Sequence, residues 1–307
     1  MNNQKPYHGV FPVAPTTFLD NLSLDLESQK RVFDCMIDQG VDGLCILANY
    51  SEQFLLSDDE RDTLLDVSLK HIAGRVPVIV TCSHYSTQVV IERAIRSRDQ
   101  GAAMIMLMPP YHGAILKPDE NGIFEHFSQI SDQINIPIMI QDAPLSGVHL
   151  SSSFLARLAI EVDQVSYFKI ETPGAANKLE ELIALGGDFV VGPFDGEEGI
   201  TLLADLEAGA LGTMPSAMYP EKLKEILQSF FSNDFDDASL KYNKLLPIIN
   251  FENRQCGLHG TKVVMKEGGV INSDQVRHPL SPISAGARRS ILKLAKEFDL
   301  VALRWGK

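Results

Sequence analysis

Most lysines in this sequence lie in helix- or loop-like contexts such as NKLEE and EKLKE, where solvent holds the ammonium, but Lys169 interrupts the apolar run VSYFKI. Burial near the end of a strand penalises the charged form, lowers the amine's pKa and frees it to attack a carbonyl carbon. A buried lysine paired with an acid is the other reading of the same pattern. Glu171 stands two residues further on, and on a strand such residues point to the same face. An amine nucleophile beside a carboxylate is what imine formation followed by proton transfer requires. A plain Lys–Glu ion pair is the alternative.

Other apolar runs turn polar in the same way. Gln141 ends the run in IPIMIQDAP, and Asp142 beside it reads equally well as a loop cap. In LANYSEQF, Asn49, Tyr50 and Ser51 follow the run GLCIL, and successive backbone N–H groups in such a turn can hold a carboxylate. His84 and Tyr85 follow VPVIVT, and PPYHG places Tyr111 and His112 after AAMIMLM. Gly192, closing DFVVG, completes a candidate substrate-binding set of Asn49, Tyr50, Ser51, His84, Tyr111 and Gly192. The eight histidines and four cysteines show no metal-ligand spacing, and neither GxGxxG nor GxxxxGK[ST] is present. No metal and no cofactor is expected; the chemistry would rest on a covalent bond to Lys169.

These residues need a scaffold, and the apolar runs supply one. GVFPVAP from Gly9, GLCIL from Gly43, VPVIVT from Val76, AAMIMLM from Ala102, IPIMIQ from Ile136, VSYFKI from Val165, DFVVG from Asp188 and ALGTM from Ala210 make eight candidate strands. They are apolar on both faces, as strands of a covered parallel sheet must be. Helix-period segments lie between them. Ser57 with Glu60 forms a capping box, and Leu64, Leu65, Ser68 and Leu69 share a face of the helix it opens. Val32, Phe33, Met36 and Ile37 mark the preceding helix, with Gly40 ending it, and Leu179, Leu182 and Ile183 repeat the period. Eight strand–helix repeats are the arithmetic of an α/β (β/α)8 TIM barrel, whose chemistry collects at the C-terminal strand ends; a doubly wound open sheet is the other candidate. Helices are expected at Pro220–Phe230, Asp234–Ile249 and Ala285–Phe298, so residues 1–217 read as the barrel and 218–307 as a helical extension packed on it.

With 307 residues, 45% hydrophobic and 22% charged, the chain can bury a large core without disulfides or a structural metal. Forty acidic against 27 basic residues leave a net charge of −13, which argues against nucleic acid or an anionic membrane as partner. Cys35, Cys45 and Cys82 sit in or beside apolar runs as structural thiols, and the N-terminus has no apolar signal core. A reducing, cytoplasmic setting is expected.

Taken together and in order, the motifs resemble those of the class I aldolase superfamily that contains dihydrodipicolinate synthase and N-acetylneuraminate lyase. PTTF at Pro15–Phe18 is similar to the family's TPF element, ANYSE followed by LSDDER to GTTGE followed by LSxxER, and PPYHG to its tyrosine-bearing segment. FKIETPG places Lys169 on the Schiff-base lysine. The resemblance implies a (β/α)8 barrel, a homotetramer built as a dimer of dimers with Tyr111 near an interface, and 2-keto acid substrates. Departures narrow it. Where the family has YNxPxR, supplying a tyrosine proton relay and an arginine, this chain has QDAPLSG, with Gln141 at the tyrosine and Ser146 at the arginine. Asn49 and Tyr50 stand at the two threonines of GTTGE. This implies a hydro-lyase acting on a small 2-keto-3-deoxy sugar acid of five carbons and yielding α-ketoglutarate semialdehyde. Lys169 would form the imine, Glu171 would serve as general acid/base and Gln141 would orient a hydroxyl. A retro-aldolase on a related acid, a deaminating or dehydrating relative and a non-catalytic sugar-acid sensor are the alternatives.

Overall fold

A computed structural model describes residues 6–110 and 116–307. Strands and helices alternate: β1 Gly9–Val10, α1 Leu26–Asp38, β2 Leu44–Ile46, α2 Asp58–Ile72, β3 Val78–Thr81, α3 Thr87–Asp99, β4 Met104–Leu107 and α4 Glu120–Ser131. Next come β5 Ile138–Asp142, α5 Ser152–Glu161, β6 Val165–Ile170, α6 Ala175–Gly186, β7 Gly192–Asp195, α7 Leu202–Glu207 and β8 Gly212–Thr213. Five further helices follow: α8 Pro220–Phe231, α9 Phe235–Phe251, α10 Leu258–Glu267, α11 Ala285–Glu297 and α12 Val301–Arg304. The strands run β1-β8-β7-β6-β5-β4-β3-β2, with β2 to β8 in sequence order and β1 beside β8, and the ladders from β3 to β8 are all parallel. This is the expected (β/α)8 order, not the crossed order of a doubly wound sheet.

Local signals hold where the chemistry is local. Ser57 accepts the Glu60 N–H while the Glu60 carboxylate accepts the Ser57 N–H. Gly40 follows α1 at φ 78°, the left-handed conformation that suits a residue just past a helix end. Other expectations need correction. Asp188 and Phe189 lie in a 3-10 turn, and the seventh strand is Gly192–Asp195. Pro193 and Asp195 disguise it as a loop, yet Pro193 gives the ladder its carbonyl, accepting the Leu211 N–H at 2.8 Å, and Asp195 is fully buried. The π-helical turn Glu252–Cys256 and α10 have no counterpart among the helices expected from the sequence. All four cysteines are buried and reduced. Among the described residues no helix is long and apolar enough to cross a membrane.

The chain clusters into two compact units. One gathers residues up to Gly9, Ile79–Glu197 and Thr201–Met214; the other gathers Val10–Val78, Glu198–Ile200 and Pro215–Lys307. The first holds the parallel ladders around β5, β6 and β7, with Ile140, Phe168, Ile170 and Phe194 wholly buried.

In the second unit, late residues are tied to early ones by buried polar contacts. Lys262 of α10, itself fully buried, forms an ion pair with the fully buried Glu52. It also donates to the Gln275 carbonyl at 2.9 Å and stands 4.6 Å over the Phe18 ring. The Arg277 N–H donates to the second Glu52 oxygen at 3.1 Å, while its guanidinium pairs with Glu60 and holds that carboxyl down at about 2. Burial pushes the Lys262 ammonium down, with Glu52 opposing. Removing one member of such a pair leaves a charge without compensation in an apolar interior. Lys262→Ala should therefore cost ~3–5 kcal/mol in denaturant unfolding, and the combined Lys262→Met, Glu52→Gln change clearly less. Equal losses would show that the pair matters only through packing.

Candidate active site

The first unit brings three of the expected residues together at the C-terminal ends of β5 and β6. Gln141 and Lys169 are cross-strand partners in the ladder. Lys169 Nζ lies 2.6 Å from Glu171 Oε1, and Gln141 Nε2 donates to that same oxygen at 2.7 Å. Both contacts fall on Oε1; among the described residues Oε2 takes no hydrogen bond, so it is the oxygen placed to accept or deliver a proton. Gln141 is 1% exposed, and among the described residues its buried carbonyl Oε1 has no partner. A buried acceptor of this kind costs free energy unless a donor reaches it, and a substrate hydroxyl is such a donor. A glutamine amide has no titratable proton near neutrality, so it orients a hydroxyl without acting as its base.

The neighbourhood is held by contacts that the sequence does not announce. Asp142 is neither a loop cap nor a free carboxylate: it closes β5 and pairs with Lys178 of α6 at 2.5 Å. Lys178 also donates to the Leu150 carbonyl. The motif NKLEE therefore holds a lysine that is engaged in the interior, not solvated. Burial pushes the Asp142 carboxyl up and Lys178 opposes it. The Glu171 N–H donates to the Asp142 carbonyl at 3.0 Å, extending the strand pairing to the carboxylate-bearing residue. Gly196 follows β7, and a Cβ built there would come within 2.5 Å of Glu171 Cγ and 2.9 Å of Lys169 Cγ. Only a glycine lets the two reactive side chains lie across that backbone.

Gly192, singled out in the sequence, is placed elsewhere. It opens β7, four residues before Gly196, and faces the Tyr167 ring, which a Cβ would meet at 2.1 Å. There it lets the Tyr167 ring pack against the β7 backbone. His84 is exposed in the loop after β3, its Nδ1 accepting the Ser86 N–H at 3.0 Å. Tyr111 lies outside the described residues. Asn49, Tyr50 and Ser51 belong to the second unit, where they form a 3-10 turn. There the Ser51 N–H donates to the Ala48 carbonyl, Ser51 Oγ donates to the Ala14 carbonyl, and Thr16 Oγ1 donates to the Ser51 carbonyl. Asn49 Oδ1 accepts from Gln53 Nε2 at 2.7 Å. Among the described residues no group of three or more His, Cys, Asp or Glu side chains is arranged to hold a metal ion.

Known proteins share both the sequence and the fold. The model of the dihydrodipicolinate synthetase family matches residues 6–298. An L-2-keto-3-deoxyarabonate dehydratase from Azospirillum brasilense is 56% identical over 99% of both chains. A 4-hydroxy-tetrahydrodipicolinate synthase from Rhodopseudomonas palustris is 30% identical over 93% of this chain and 94% of its own. The crystal structure of a dihydrodipicolinate synthase from Thermotoga maritima superposes with a TM-score of 0.86 at 24% identity, covering 95% of this chain and 98% of that one. That likeness shows a shared fold, the barrel predicted from the strand count.

Proposed function

The chain belongs to the dihydrodipicolinate synthetase family, and within that family we propose a Schiff-base hydro-lyase that converts 2-keto-3-deoxy-L-arabonate to α-ketoglutarate semialdehyde. One observation carries the reading: the 56% identity over 99% of both chains to a dehydratase of that substrate, against 30% to a synthase. The geometry at Lys169 supports it.

Lys169 Nζ attacks C2 of the keto acid, water departs, and the nitrogen becomes a protonated imine. That imine withdraws electrons from C3, so a C3 hydrogen becomes acidic. Glu171, 2.6 Å from the nitrogen, takes the proton and leaves an enamine. The enamine then pushes out the C4 hydroxyl, which leaves as water with the proton that Glu171 returns. Loss of a C5 proton and protonation at C3 give a C4–C5 enol, which collapses to the aldehyde; hydrolysis frees Lys169. The balance is one water lost. Retro-aldol cleavage instead needs a base on the C4 hydroxyl. In the family's pattern a tyrosine serves there, and Gln141 at that place can hold the hydroxyl but not deprotonate it.

The substrate is a small 2-keto sugar acid. The homotetramer implied by the family belongs to the same proposal. The test is to incubate the enzyme with 2-keto-3-deoxy acids of five and six carbons and identify products by mass. The five-carbon acid should lose the mass of one water. Pyruvate with a two-carbon aldehyde would establish the aldolase instead, and no turnover with retained binding would favour a sensor.

A further inference from the structure

One ammonium behind the catalytic face ties three segments of the first unit together. Gln141 and Lys169 are partners in the ladder and share their face with Glu171. Asp142, the next residue, is paired in register with Ile170 and points the other way. Lys178 meets it there, from α6. Its Nζ lies 2.5 Å from Asp142 Oδ2 and also donates to the Leu150 carbonyl at 2.5 Å. Asp142 ends β5 and Leu150 stands just before α5, so this single nitrogen joins both ends of the loop 143–150. Inside that loop Ser146 Oγ donates to the Ala143 carbonyl at 3.0 Å and accepts the Val148 N–H at 3.1 Å.

Asp142 turns its charge away from the catalytic face, but it offers that face its backbone. Glu171 lies one residue past the end of β6, and its N–H donates to the Asp142 carbonyl at 3.0 Å. Where Asp142 sits therefore decides where the Glu171 side chain starts. From that start its carboxylate reaches Lys169 at 2.6 Å and Gln141 at 2.7 Å.

Fold stability alone is a poor reason for this arrangement. Asp142 is almost wholly buried, and among the described residues its Oδ1 has no partner, so the ion pair leaves one buried oxygen unsatisfied. Buried ion pairs can often be replaced by well-packed apolar residues without loss of stability. What apolar residues cannot supply is two directed bonds, one to a strand end and one to a loop end. We propose that Lys178 is a positioning residue for the proton transfer: by fixing Asp142 between α6 and the loop 143–150, it holds the carbonyl that carries the Glu171 backbone, and so keeps the Glu171 carboxylate aligned with the imine. It acts through Asp142 and Glu171, not on the substrate.

The inference rests on Lys169 forming the imine and Glu171 moving the proton, and one experiment separates the three. Pyruvate is the probe. Borohydride trapping of pyruvate on Lys169 reports the imine. Exchange of the pyruvate methyl hydrogens in D2O reports the proton transfer. There the base takes a C3 hydrogen from the imine, exchanges it with solvent and returns a deuteron to the enamine, with no net change in bonding. In Lys178→Met trapping should persist, while exchange and turnover of the five-carbon acid fall together by ~10–10²-fold, the cost of misplacing a catalytic group. Lys178→Met leaves the Asp142 carboxylate without its cation, so the neutral double variant Asp142→Asn, Lys178→Met is measured beside it and should show the same split. Wild-type exchange rates in either folded variant overturn the proposal. A double variant that does not fold, or that loses trapping and exchange to the same extent, makes the pair a support of the fold and overturns it as well. Wild-type exchange no faster than that of Glu171→Gln removes Glu171 from the proton transfer, and absence of label on wild-type Lys169 removes the imine. Either result takes the role of Lys178 with it.

Discussion

Lys169→Ala should abolish turnover and, with pyruvate and borohydride, should leave the peptide around position 169 at its unmodified mass. The imine is the electron sink for every later step, so without it the C3 hydrogens of the substrate lose their acidity and no remaining group can restore it. The loss should exceed the ~10²–10⁴-fold typical of proton-transfer catalysis alone, because the covalent intermediate itself is gone. The side chain is nearly buried, 4% exposed, and paired with Glu171. A thermal melt of the variant therefore accompanies the assay, to separate lost chemistry from lost fold. A Lys169→Ala protein that is still trapped by borohydride, or that keeps full activity, would remove Lys169 from the reaction.

Glu171→Gln should behave differently. It keeps the size of the side chain and its contact with Gln141, but removes the group that exchanges protons, so turnover should fall by ~10²–10⁴-fold while pyruvate trapping at Lys169 persists. The split between the two readouts is the informative part. Loss of trapping as well would mean that Glu171 is needed to form the imine, and not only for the steps after it. Full activity would show that some other group moves the proton. Glu171 is well placed to move it, because Lys169 and Gln141 both hold Oε1 and so fix the carboxylate, while neither contact engages its other oxygen.

The core of this site is legible in the sequence because its geometry is local. A strand alternates its side chains, so Lys169 and Glu171 must share a face once VSYFKI is a strand. The break from apolar to polar at IPIMIQD marks Gln141 for a similar reason, since strand ends in this fold are where polar groups gather. The same rules mislead at neighbouring positions. Lys178 looks solvated because its helix neighbours are charged, yet it pairs with Asp142, 36 positions earlier. Gly192 looks like a strand-end glycine because the apolar run stops there, whereas Pro193 to Asp195 continue the strand and Gly196 is the glycine beside Lys169.

Interactions spanning only a few residues are enough to specify the repeat of eight buried strands, the capped helices between them and the lysine–carboxylate couple on one strand face. Side-chain alternation, a helical turn and a cap three positions away all act along the chain, so the order of residues suffices. Which charges are buried, and with whom, is settled only in three dimensions. Lys262 meets Glu52 across 210 positions, and Thr213 meets Asp195 across 18. An aspartate in a sequence carries the signature of a turn or a solvated surface, because an unpaired charge is least costly there. Whether it can instead sit in the interior depends on a partner, a proton or a hydroxyl that the folded chain brings from elsewhere.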